Sequence, residues 1–141
     1  MKYQIPFRVV VSKPLSGVVM RVQRGKDELL DPTSTTADAI AFEFEMTVDV
    51  SGEHPNFLGK YSQGPKDARF VYVNSGTYAG QHPTCWSRRA KLSLMTISRD
   101  EAMAVVDNPD SCLEAVMPGV GRDGGPTCAS VKGIEWRIVK K

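Results

Sequence analysis

Residues 40–50 carry the clearest pattern in the chain. Every even position is large and apolar: Ile40, Phe42, Phe44, Met46, Val48 and Val50. The odd positions between them are Ala41, Glu43, Glu45, Thr47 and Asp49. Successive side chains of a strand point to opposite faces, so this run predicts a strand with one dry and one wet face. Such alternation is typical of antiparallel sheets rather than of parallel sheets covered on both sides. Tyr3, Ile5, Phe7, Val9 and Val11 share one face of a first strand. Pro6 lacks a backbone N–H, which predicts an edge position for that strand. Val18, Met20 and Val22 mark a second, and 69–74, 88–97, 112–117 and 134–139 read as further strands. Turn signals fall at Ser16-Gly17, Asp31-Pro32, Ser51-Gly52, Gly64-Pro65, Ser75-Gly76 and Gly124-Gly125-Pro126.

One helix interrupts the period of two. Ser98-Arg99-Asp100-Glu101 has the spacing of a capping box, in which the Ser98 hydroxyl accepts from the Glu101 N–H while Glu101 reaches back. Asn108-Pro109 stops the helix, because a residue preceding proline avoids the α region. The expectation is one domain, 1–141: a mainly β, seven-stranded antiparallel barrel or sandwich with one short helix near 99–107. Strand order, and with it the choice between barrel and sandwich, is not encoded in this pattern.

The 141 residues suit a single core, and no internal repeat or low-complexity segment divides them. Eighteen Lys and Arg oppose sixteen Asp and Glu, for a formal charge of +2. That balance gives no reason to expect a nucleic acid or a membrane surface as partner, although a local patch is compatible with it. No run approaches the length of a membrane span, and the first residues lack the apolar segment of a secretory signal. Cys85, Cys112 and Cys128 make an odd count, unlike a disulfide scaffold. Reduced thiols in the cytoplasm are expected, with a Cys112–Cys128 bridge as the alternative.

The motifs that suggest chemistry are mostly short of context. Gly119-Val120-Gly121-Arg122-Asp123-Gly124 matches G-x-G-x-x-G, but Gly125-Pro126 follows where a dinucleotide site needs a helix. A hairpin loop fits better. His82 and Cys85, with His54 as the only other histidine, fall short of a four-ligand zinc set. Neither a metal nor a cofactor is expected. Glu43 and Glu45 fall on the wet face and read as solvated positions.

Arg88 is more informative. Trp86, Arg88, Ala90, Leu92 and Leu94 share one face of their strand, and Arg89, Lys91 and Ser93 share the other. Arg88 therefore points the same way as a dry stripe, where a guanidinium requires a partner. That partner is a carboxylate of the protein or the acid group of a ligand. The connection 56–65, with Phe57, Tyr61 and Gln63, is either a lid on one end of the sheets or a pocket wall.

Several strings together resemble a small bacterial family of single-domain proteins known only as a domain of unknown function. They are Asn56-Phe57-Leu58-Gly59, Gln63-Gly64-Pro65, Arg69-Phe70-Val71-Tyr72-Val73-Asn74-Ser75-Gly76-Thr77 and Trp86-Ser87-Arg88-Arg89-Ala90-Lys91-Leu92. Val22-Gln23-Arg24-Gly25-Lys26, Cys128-Ala129 and Trp136 are similar as well. The resemblance covers nearly the whole chain; Lys60 departs from it where a proline is expected. It implies kinship and no mechanism.

The functional expectation is a protein that binds a small anionic molecule. Arg88 would pair with the acid group, Arg24, Arg69 and Gln63 would contact it at the rim, and Tyr72 and Trp86 would line the wall. The alternatives are a metal-independent enzyme using a tyrosine or carboxylate for proton transfer, and an interaction module that recruits a partner at an exposed sheet edge.

Overall fold

A computed structural model describes residues 1–14, 18–24, 28–58, 69–79, 82–83, 88–119 and 131–141. The side chains of 77–79, 82–83 and 88 lie outside that description. The elements in chain order are β1 (Lys2–Ser12), β2 (Val18–Arg24), β3 (Glu28–Leu30), β4 (Ser34–Thr35), β5 (Ala39–Asp49) and β6 (Asn56–Leu58). They continue with β7 (Phe70–Ala79), β8 (His82–Pro83), β9 (Arg88–Ser93), α1 (Arg99–Val106), β10 (Ser111–Pro118) and β11 (Arg137–Lys140). Seven of these strands have four residues or more. They form two sheets that do not close into a barrel, so the architecture is sandwich-like.

The first sheet runs β11-β10-β1-β5-β4, with β6 also on β5. The second runs β3-β2-β7-β8, with β9 also on β7. All pairs are antiparallel except β1 with β10. β1 is therefore central, not an edge strand as Pro6 suggested. The β10 ladder begins only at Phe7 opposite Leu113. At Pro6 that flank has no ladder partner, so a residue without an N–H is tolerated there. The turn expected at Ser75-Gly76 does not form either. β7 runs straight through it, with Ser75 opposite Met20 and Gly76 opposite Val19. Cross-strand pairing overrides the local preference. The strand expected over 88–97 ends at Ser93, and that over 134–139 begins at Arg137.

The core is the set of dry stripes. Ile5, Phe7, Val9 and Val11 of β1 and Ile40, Phe42, Phe44, Met46 and Val48 of β5 are buried as the alternation predicts. They join Met20, Val22, Val71, Val73, Ala90 and Leu92 of the second sheet in one cluster. Phe7 is its hub: it stacks on Phe44 at 5.6 Å and meets Phe57 and Trp136 edge-on at 5.6 and 5.1 Å. The Trp136 indole N–H donates to the Ser93 carbonyl at 2.8 Å, which satisfies its one polar atom.

The helix starts where the capping box predicts. Ser98 accepts from the Glu101 N–H, and Glu101 accepts from the Ser98 N–H, both at 3.1 Å. Ala102 and Val105 are its buried residues, and Asp107 caps its end. Gly119 donates its N–H to the Ser12 carbonyl at 2.6 Å. A Cβ there would lie 2.8 Å from Pro14 Cα, so glycine allows this close backbone crossing. The rest of the G-x-G-x-x-G string lies outside the described residues.

Candidate functional site

Residues flanking the ends of β6, β7 and β9 build an open cleft of about 420 Å³. His54 and Pro55 come from the connection between β5 and β6, and Asn56 begins β6. Leu94, Met95 and Ile97 come from the turn after β9. That turn is closed by the Ile97 N–H on the Leu94 carbonyl at 3.2 Å and by the Met95 N–H on Ser93 Oγ at 3.2 Å. Phe57, Leu94 and Ile97 are buried and give the cleft an apolar floor, while Met95 is 62% exposed at its edge. Arg69 completes the lining, just before the first residue of β7. Its carbonyl accepts from the Leu94 N–H at 2.9 Å, which fixes its backbone beside the cleft. Its side chain is exposed, and among the described residues no carboxylate pairs with it. Among the described residues no acidic one lines this cleft.

A second groove, of about 450 Å³, lies on the outer face of the first sheet. Pro6, Phe7, Arg8, Glu43, Phe44, Glu45, Cys112 and Lys141 line it. Here register decides the chemistry. Arg8 stands opposite Glu43 on β5 and opposite Glu114 on β10. Its Nε donates to Glu114 Oε2 at 2.5 Å, and Nη1 lies 3.8 Å from Glu43 Oε1. The Glu114 hydrogen bond holds the guanidinium above its ordinary range, against the opposing effect of burial. Burial also pushes the Cys112 thiol up, only partly offset by nearby Arg8. A raised thiol is a poor nucleophile at neutral pH. Glu43 and Glu45 are exposed, as their alternation predicts.

Of the residues expected to form one anion site, the three whose side chains are described, Arg24, Arg69 and Tyr72, are not gathered in one place. Arg69 lies in the apolar cleft. Arg24 extends the inward stripe of Met20 and Val22. It forms a fork on Glu28 at 2.8 and 2.9 Å, with only 14% and 11% of the two side chains exposed. Its Nη1 also donates to the Glu45 carbonyl, tying the sheets together at that end. Tyr72 sits on the outer face of the second sheet, under the Arg89 guanidinium. Arg88 is placed by its backbone opposite Ser75, but its side chain lies outside the described residues. Gln63, Trp86, Cys85 and the connection beyond Leu58 also lie outside them. Cys112 is a free thiol among the described residues, and Cys128, the partner in the alternative bridge, lies outside them.

Sequence reasoning undervalued His54 and did not single out Met95, since nothing local shows that the turn after β9 meets the connection after β5. It also set Arg24 at the rim, although the Met20–Val22 stripe, continued by two residues, points it inward. Among the described residues no cluster of three or more His, Cys, Asp or Glu is placed to hold a metal ion. No described helix is long and apolar enough to cross a membrane.

The fold and sites define an open two-sheet β protein whose inward arginine is closed by a carboxylate and whose apolar cleft is edged by a cation. The match to a family covers nearly all of such a chain. Over residues 5–139 it belongs to DUF5990, a family of unknown function. No curated protein and no solved structure matches it.

Proposed function

We propose that this protein binds a small anionic molecule with an apolar portion, in the cleft between Arg69 and the turn after β9. The observation that carries the reading is the lining itself: an apolar floor of Phe57, Leu94 and Ile97, a cation at the edge and no carboxylate among the described lining residues. A volume of about 420 Å³ lies in the range of small-molecule sites. The Arg69 fork matches a carboxylate or phosphate in two hydrogen bonds, while the floor takes the hydrocarbon. His54 and Asn56 add polar contacts at the edge. The groove around Arg8 is less suited, because Glu43 and Glu114 already occupy that guanidinium. The reading places the protein in a bacterial cytoplasm, where free Cys112 stays reduced.

The test is titration with hexanoate, followed by amide chemical shifts, with hexylamine as the probe of opposite charge. Hexanoate should shift the signals of Leu94, Met95 and Ile97, and hexylamine should not. Arg69→Met should weaken hexanoate by roughly tenfold, the loss of about 1.4 kcal/mol. Equal response to both probes, or an unchanged affinity in Arg69→Met, overturns the assignment.

A further inference from the structure

The outer face of the second sheet carries a cation–aromatic ladder that the cleft does not use. Across β2, β7 and β9 one row reads Arg21, Asn74, Arg89, and the next reads Gln23, Tyr72, Lys91. Phe70 follows, opposite Ser93. Diagonal neighbours across a sheet are within reach of long side chains, and both cations take that route. Arg89 Cζ lies 4.6 Å from the centre of the Tyr72 ring, and Lys91 Nζ lies 5.6 Å from that of Phe70. The two rings are 6.0 Å apart.

Arg89 is held as well as stacked. Its Nε donates to Asn74 Oδ1 at 3.3 Å and its Nη2 to Gln23 Oε1 at 2.9 Å. Asn74 Nδ2 donates to the same Gln23 oxygen at 3.2 Å. Asn74 is only 4% exposed, whereas Arg89 and Lys91 are exposed. The guanidinium is thus an ordered plane lying on an aromatic ring, with polar groups fixing its orientation. Among the described residues the one carboxylate paired on this face is Asp31, bound to Arg21 at 2.8 Å.

We propose that this face binds single-stranded nucleic acid, because an ordered Arg89–Tyr72 stack beside Lys91 and Arg21 offers a plane for an unpaired base next to cations for its phosphates. Unpaired bases stack on aromatic rings and on arginine planes, and every base has such a face. A duplex hides those faces inside its own stack. An acidic peptide would use the charge and leave the stacked plane without a matching partner. The chain's total of +2 does not reveal the patch, since it also counts carboxylates of the other sheet such as Glu43 and Glu114.

The probe is a fluorescein-labelled oligo-dT of about twelve nucleotides, within the span of one strand-binding domain, read by anisotropy. The strand should bind, and log affinity should fall against log salt with a slope of roughly −2 for three cations. Arg89→Gln should weaken it roughly tenfold, the effect of losing one stacked base. Arg89→Lys keeps the charge and loses the plane, and should also weaken binding. Lys91→Gln, at an exposed position, should weaken it about threefold and lower the slope. It carries the test if the Arg89 variants fail to fold. Arg137→Gln, on the other sheet, should change nothing. Absence of binding overturns the proposal. So do equal binding of the matching duplex, equally effective displacement by polyglutamate, and full binding by Arg89→Lys or by a folded Lys91→Gln.

Discussion

Across the first sheet one register row reads Glu43, Arg8, Glu114, Arg137, and across the second a row reads Arg21, Asn74, Arg89. Both rows face outward from the same core. In the first, signs alternate, and Arg8 finds a carboxylate on either side. In the second, an amide separates two cations, and Arg89 rests on Tyr72 and donates to Asn74 and Gln23. A guanidinium closed by carboxylates adds cohesion and leaves little field for a ligand. One supported by rings and amides keeps its charge directed outward. Arg24, forked on Glu28 between the sheets, is the closed arrangement carried to its buried limit.

The sharpest way to break this comparison is at its buried end. Arg24→Met should destabilise the fold by about 3 kcal/mol in urea unfolding, because the Glu28 charge is left unpaired and largely buried. The double variant Arg24→Met, Glu28→Leu should recover most of that loss. If the single variant is as stable as the parent, the fork is not cohesive.

The outer faces should separate next. Arg8→Met should cost about 1–2 kcal/mol, since the half-buried Glu114 loses its charge-assisted bond. The same substitution at Arg89 should cost under about 1 kcal/mol, the usual worth of an exposed cation–aromatic contact. Equal costs in urea unfolding would erase the distinction drawn here.

The smallest effect concerns pH. The Cys112 thiol is raised by burial in the folded chain above its unfolded value of 9.0. The folded state therefore holds that proton more tightly. This contribution is fully present below pH 9.0 and is lost as pH climbs through the folded value. Urea midpoints at about pH 8 and about pH 10 should differ less in Cys112→Ala than in the parent. An equal or larger drop in the variant would contradict the burial argument.

The same contrast shows what was legible in the chain. Face assignments were: the dry stripe of 40–50, the capping box at Ser98 and the split of Arg89 and Lys91 from Ala90 and Leu92 all follow from spacing. Neighbours were not. Nothing near Arg8 says that Glu114, more than a hundred residues away, will stand beside it in a parallel pair. Pro6 pointed to an edge and Ser75-Gly76 to a turn, because both rules weigh local backbone needs alone. The candidate cleft was half visible: Arg69 was singled out, whereas its apolar floor comes from β6 and the turn after β9, distant in sequence.

Spacing by itself determined that this chain is mainly β with one short helix, and which apolar side chains of its clearest strands face inward. Those features depend on the two-residue repeat of a strand and on caps that close within four residues. Tertiary structure alone decided strand order, the open sandwich, and which arginine meets an acid and which meets a ring. Register couples residues through space, and the energy that fixes it comes from the core, not from the residues it brings together at the surface.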